Sequence, residues 1–179
     1  MELWNVYDKN RKLKDKVIER ENPVMEDGDY RIVVHLCLFN TNNQMLIQQR
    51  QLFKKGWSGM WDLTTGGSAI LGEDSSMACE REVREELGLE VDLKDKIADV
   101  TFNVRNVMND VFVMVKDVDI DSLKLQYEEV KQVKWASKEE IISMIQSGEF
   151  IPYKESFIEL IFDVKDIPGN RKIFASNKW

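Results

Sequence analysis

The stretch Gly67–Leu89, GSAILGEDSSMACEREVREELGL, constrains this chain more than any other, because it sets four glutamates and an arginine at fixed spacing on one loop and one helix. The spacing takes on meaning if residues 74–87 are helical. Glu82, Glu85 and Glu86 then stand at i, i+3 and i+4 and project from the same face. Three like charges on one face repel by a few tenths of a kcal/mol per pair (~0.2–0.5). A hard divalent cation that prefers oxygen ligands turns that repulsion into coordination. Arg81, four residues before Glu85, is placed to orient a carboxylate and offset the charge. Gly88 supplies the glycine that ends such a helix. A Glu/Arg-rich helix is also what a solvated face looks like, and EREVREE alone does not separate the two readings.

The charge balance narrows the partners. Net charge is −7, so the overall field does not attract a nucleic acid polymer, and phosphate recognition has to come from a local basic cluster or a bound metal. Such a cluster exists in RQLFKKGWSGMWDLTTGG, where Arg50, Lys54 and Lys55 lie on a glycine-containing loop leading into the acidic stretch. Cations there can hold the non-reacting oxygens of a diphosphate while a metal polarises the reacting one. A solvated loop is the competing reading. Trp57 is a candidate to stack on a planar group, and Trp61 reads as core.

At 179 residues with 43% hydrophobic content, the chain is long enough for one domain with a real core. Cys37 and Cys79 fall inside predicted core elements. No apolar run approaches the roughly 20 residues of a membrane helix, and the N-terminus lacks the apolar core of a secretory signal. A reduced, cytoplasmic setting with no membrane association is the expectation.

Along the chain, Leu3–Tyr7 alternates, breaks at Asp8-Lys9-Asn10 and resumes near Val17-Ile18, predicting a short hairpin. Tyr30–Phe39 reads as a strand buried on both faces, closed by Asn40–Asn43, with Met45–Arg50 as its hairpin partner. His35, the only histidine, sits inside the first of these and reads as structural. Two further strands are expected over Ile97–Val104 and Asp110–Lys116, joined near Asn106, and a last one over Tyr127–Ala136. Asp117–Asp121 lacks the glycine and terminal glutamate of a calcium loop and reads as solvated. Ser137 with Glu140 predicts a capped helix to about Gln146 stopped by Gly148, and a final amphipathic helix runs from about Tyr153 to Phe162.

The acidic stretch resembles the Nudix box: G, five residues, E, seven residues, R, E, an aliphatic, any residue, E, E, any residue, G, an aliphatic. Gly67, Glu73, Arg81, Glu82, Val83, Glu85, Glu86, Gly88 and Leu89 occupy every fixed position. The resemblance spans about Tyr30 to Phe162. It implies an α+β Nudix fold, a mixed sheet sandwiched between helices (α/β/α), preceded here by the hairpin. The domains would be an N-terminal extension over 1–29, a Nudix domain over 30–163 and a tail over 164–179. It further implies magnesium, with manganese as a substitute, held by Glu82, Glu85, Glu86 and the carbonyl of Gly66. Glu73 would orient Arg81, although an acid at a helix N-terminus also serves the helix itself. The general base would be a box glutamate first, Glu129 second and Asp110 third.

Within the family, LFNTNNQMLIQQRQLFKKGWSGMW is similar to the same stretch of isopentenyl-diphosphate isomerase. That likeness puts Arg50 and Lys54 where the isomerase grips its diphosphate. The isomerase's cysteine falls at Gly66, two of its metal-binding histidines at Ser68 and Arg31, and one ligand glutamate at Met108. Asp110 alone keeps a carboxylate where the catalytic glutamate would be. These departures remove the isomerase chemistry and keep the phosphate grip. The expected function is therefore magnesium-dependent hydrolysis of the phosphoanhydride bond in a nucleoside diphosphate linked to another moiety, or in a related organic pyrophosphate. An isomerase-like protein and a Nudix module that binds diphosphates without turnover are the alternatives. The partner is a small diphosphate, with Trp57 and Asp110 among the substrate contacts, and a homodimer is left open.

Overall fold

The computed structural model describes residues 2–167. The chain forms two compact units. Among the described residues, one is drawn from 2–36, Gly66–Glu85 and Leu89–Phe112, and the other from Cys37–Thr65, Glu86–Gly88 and 113–167.

The first unit begins with a hairpin, β1 (Leu3–Tyr7) and β2 (Leu13–Glu19), which pair antiparallel as a two-stranded sheet. Strand β2 starts earlier than the alternation suggested, at the otherwise exposed Leu13, because backbone pairing continues past the last buried position. Trp4, Val6 and Ile18 form a buried cluster against Met25 and Ile70. Two buried carboxylates also tie the hairpin down: fully buried Asp29 accepts from Lys14 and from Lys16 (2.6 Å), both on β2, and Asp110 pairs with Arg11 of the turn.

Nine residues form β3 (Arg31–Phe39), which begins in this unit. β6 (Thr65–Ser68), β7 (Val100–Val104) and β8 (Val107–Val115) follow later in the chain. The strand expected to begin at Ile97 starts at Val100: Ile97 is 87% exposed and precedes the paired register. Helix α1 (Ser75–Leu87) buries Ala78, Cys79, Val83 and Leu87, one helical face, which leaves its glutamates to other partners.

The second unit holds β4 (Met45–Arg50), β5 (Trp61–Asp62), β9 (Val130–Ala136), α2 (Lys138–Ser147) and α3 (Glu155–Asp166). β4 and β9 pair antiparallel through a register shift at Gln49/Arg50. Tyr127–Glu129 form a turn rather than the start of β9, because the Val130 N–H bonds back to the Gln126 carbonyl. Ser137 caps α2 by accepting from the Glu140 N–H at 3.2 Å. The Glu140 side chain turns to Lys134 instead of completing a reciprocal box. Gly148 ends the helix at φ 79°. Helix α3 runs past Phe162 to Asp166, burying Ile158, Ile161, Phe162 and Val164, and Phe162 meets Phe39 edge-on at 4.8 Å. The acidic connector carries a short 3-10 turn capped by Asp119, and Asp117 accepts from Thr41.

Strand pairing follows the order β5-β4-β3-β8-β7, with β6 also on β3 and β9 also on β4. With three helices among the described residues, the architecture is α+β around a mixed sheet. Both cysteines are buried, and neither is in a disulfide. Among the described residues no helix is long and apolar enough to cross a membrane. Most of the expected tail, from residue 168 on, lies outside the described residues.

Candidate active site

In the first unit the acidic stretch closes on Arg81. Its Nε and Nη2 donate to the two carboxylate oxygens of Glu73 at 2.7 and 3.0 Å, a forked pair that fixes the guanidinium plane. Nη1 donates to Glu82 at 3.0 Å and to Glu85 at 3.1 Å, and Nη2 also reaches the Ser68 carbonyl at 3.1 Å. Glu73 additionally accepts the Ile70 N–H at 3.0 Å, which anchors the loop ahead of the helix. Arg81's charged form is held far above its ordinary range, chiefly by the Glu73 hydrogen bonds.

Glu82 is the strained member. Burial pushes its carboxyl up, and Glu85 and Glu2 add to that, while Arg81 works against it. Its carboxylate lies so close to the Gly67 backbone that a Cβ added there would stand 2.0 Å from Oε1. This is the physical need for glycine at position 67: the conformation is ordinary, but a side chain would occupy the carboxylate's place. Gly66 is in a similar position, since a Cβ there would meet His35 Nδ1 at 2.6 Å. His35 also approaches Asn109 at 3.4 Å through Nε2.

In the second unit, Glu86 is 4% exposed and accepts through Oε2 from the Thr65 hydroxyl and from Gln48 Nε2 at 3.1 Å. Gln48 is itself buried, and its Oε1 has no hydrogen-bond partner. Lys54 pairs with Glu129 at 2.5 Å, and Arg50 donates Nε to the Gly56 carbonyl at 3.1 Å. The β4–β9 register shift lies at Arg50, a place where a bulge re-aims a side chain. Trp57 is half exposed and adopts φ 51°, and Trp61 lies beneath Lys134.

The geometry departs from the expectation in two places. The box glutamates do not gather as a ready ligand set: among the described residues no three His, Cys, Asp or Glu side chains are grouped to hold a metal ion. Arg81 draws Glu82 and Glu85 to itself, while Glu86 turns to neutral donors. Asp110 is 2% exposed and fully engaged, accepting from Arg11, Ser75 and Thr101, so its carboxylate serves the hairpin and the start of α1. Sequence reasoning did not single out Gln48, Thr65 or Arg11. Only Gln48 left a signal, a polar residue that follows three apolar ones in MLIQQR.

The NUDIX domain family matches residues 29–160. The chain belongs to the Nudix family. It is 41% identical to a Nudix hydrolase of Listeria innocua over 93% of this chain and 96% of that one. It is 25% identical to isopentenyl-diphosphate Delta-isomerase of Citrobacter koseri over 75% and 77%. The MutT protein of Methanosarcina mazei is 27% identical and superposes with a TM-score of 0.60 over 77% of this chain and 96% of that one. The Deinococcus radiodurans protein DR0079 shares the Nudix fold, with a TM-score of 0.70 at 22% identity over 91% and 99%. This chain is thus a Nudix hydrolase, an enzyme acting on small molecules, and Nudix hydrolases use divalent cations.

The donor types suit such a cation, although no three of these side chains are grouped to hold one among the described residues. The donors are hard carboxylate and carbonyl oxygens. Glu82 is a desolvated carboxylate that a cation would stabilise. The bare Gln48 Oε1 beside Glu86 is an acceptor suited to a water of a hydrated ion.

Proposed function

We propose that this Nudix hydrolase cleaves the phosphoanhydride bond of a nucleoside diphosphate linked to another moiety, or of a similar organic pyrophosphate, with magnesium. Water adds to one phosphorus, the bridging P–O bond breaks, and two phosphate products and a proton leave. Glu82, Glu85, Glu86 and the Gly66 carbonyl would hold the cation. When bound, it polarises the diphosphate and lowers the pKa of the attacking water. Arg81, locked by Glu73, keeps Glu82 and Glu85 in place, and the same two carboxylates would be among the cation's ligands. Gln48 and Thr65 do the corresponding work for Glu86. Arg50 and Lys54 neutralise charge on the leaving phosphate, and Lys54 would exchange Glu129 for substrate. A box glutamate takes the proton of water, with Glu129 the second candidate.

The observation that carries this reading is the Arg81 hub, in which one guanidinium meets Glu73, Glu82 and Glu85 at the box spacing. The test is formation of the two phosphomonoester products from a panel of organic pyrophosphates with magnesium or manganese, read as inorganic phosphate after added phosphatase. Turnover that falls at least a hundredfold in Glu85→Gln is expected. No turnover on any member, with Glu85→Gln binding metal as well as wild type, would refute the metal-hydrolase reading.

A further inference from the structure

Arg31 opens β3, and a ring and a hydroxyl meet its guanidinium where a carboxylate would be expected. Trp4 of the hairpin lies against one face of its guanidinium, 4.5 Å from the ring centroid, and Nη1 donates to the Ser68 hydroxyl at 2.7 Å. Among the described residues no carboxylate pairs with it. Burial draws its pKa down, and the charge that acts on it beyond burial is a like one, Arg20.

The contrast with its surroundings is specific. Arg81 meets three carboxylates, Asp29 meets two lysines and Asp110 meets Arg11. A desolvated cation without a counter-charge is unfavourable. Folds retain such arrangements where a ligand supplies the missing charge. Trp4 covers the guanidinium carbon at 4.5 Å and Nη1 bonds Ser68, and a planar guanidinium fork suits phosphate oxygens. The position also fits, because Ser68 gives its hydroxyl to Arg31 and its carbonyl to Arg81, and the residue before it, Gly67, bears on Glu82.

We infer that Arg31 and the Ser68 hydroxyl form an anion subsite beside the acidic helix, which takes phosphate oxygens of the diphosphate substrate. This rests on the hydrolase reading above and adds to it a contact separate from Arg50 and Lys54. It also explains why the hairpin is anchored by two buried carboxylates: Trp4 can lie over the guanidinium only if β1 is fixed.

The experiment measures binding of methylenebisphosphonate, a non-hydrolysable pyrophosphate, by calorimetry with magnesium present, for wild type, Arg31→Met and Arg31→Lys. Mn2+ affinity by electron paramagnetic resonance and Tm are measured alongside. Arg31→Met is expected to weaken phosphonate binding by about 10- to 100-fold, the loss of one charge-assisted forked contact. Arg31→Lys recovers part of the affinity. Mn2+ affinity stays within twofold, and Tm stays within a few degrees of wild type, because Arg31 is only partly buried and no ion pair is lost with it. Phosphonate affinity within twofold of wild type in Arg31→Met overturns the subsite, as does a parallel fall in Mn2+ affinity. If wild type neither binds the phosphonate nor turns over any diphosphate, the hydrolase reading fails first. If wild type turns over substrate with a KM that Arg31→Met leaves unchanged, the subsite alone fails.

Discussion

Gly67→Ala tests how the box glycine serves the acidic helix. The added methyl carbon would stand 2.0 Å from Glu82 Oε1, 2.1 Å from Cδ and 2.6 Å from Oε2, whereas ordinary contact begins near 3.4 Å. The carboxylate must therefore withdraw by about 1.4 Å, the difference between 3.4 and 2.0 Å. That movement breaks its 3.0 Å bond to Arg81. The backbone at Gly67 is not in the left-handed region, so alanine strains the side chain opposite rather than the chain itself. A misplacement of about 1 Å in a catalytic group costs on the order of a hundredfold in rate. A displaced ligand or its support costs about 10- to 100-fold in metal affinity. The expected result is a kcat/KM about two orders of magnitude below wild type on the best diphosphate substrate, weaker Mn2+ binding by paramagnetic resonance, and a Tm within a few degrees of wild type. Gly66→Ala provides the contrast. Its methyl meets His35 Nδ1 at 2.6 Å and the Val34 backbone carbonyl at 3.2 Å, and the backbone cannot swing aside. That variant should lose about 1–3 kcal/mol of stability in urea unfolding. Activity and Mn2+ affinity within twofold of wild type in Gly67→Ala would refute the argument that Glu82 needs the space the glycine leaves.

Arg11→Met removes the partner of a carboxylate that is 2% exposed. Breaking a buried pair costs about 3–5 kcal/mol, reduced to about 2–3 because the Arg11 side chain is 39% exposed and Ser75 and Thr101 still donate. Urea unfolding at neutral pH measures this, Asp110→Asn in the same background should restore much of it, and a loss under about 0.5 kcal/mol would show the pair to be ornamental. Asp29 is held well below the usual carboxylate range by the Lys14 and Lys16 hydrogen bonds. Its stabilisation is fully present above its ordinary value of 3.8 and is lost as pH falls through its lowered pKa. Urea midpoints taken from about pH 5 to about pH 2 should thus fall more steeply in wild type than in Asp29→Asn, and parallel curves would contradict the pairing. Arg50→Ala and Lys54→Ala should each lower kcat/KM by about 10- to 100-fold with Mn2+ affinity unchanged; full efficiency in both would return the two residues to a solvated loop.

Much of the fold was legible, as was the grouping of the candidate site around Arg81, and the illegible part has a physical pattern. The helix over the acidic stretch, its end at Gly88, the Ser137 cap and Gly148 stop of α2, and the β3–β4 hairpin were readable because periodicity, capping and turn preference act over a few residues. Strand starts at Ile97 and Tyr127 were misplaced because apolar alternation continues beyond the point where a partner strand offers hydrogen bonds. The limits of β7 and β9 are set by β8 and β4, not by their own residues.

The same division holds at the site. By itself the sequence determined which candidate groups share a helix, since spacing of i, i+3 and i+4 puts Glu82, Glu85 and Glu86 on one helix wherever that helix lies. It also placed Arg81 in reach of Glu85 and the basic loop just ahead of the box. Only the tertiary structure decided who answers each charge. Thr65 meets Glu86 across 21 positions, Gln48 across 38, and Arg11 meets Asp110 across 99. It likewise decided that Arg31 is answered by an aromatic ring and a hydroxyl instead of a carboxylate. Local periodicity specifies the direction of a side chain from its own backbone, whereas pairing of buried charges depends on which distant strands the core brings together, and that information is distributed over the whole chain.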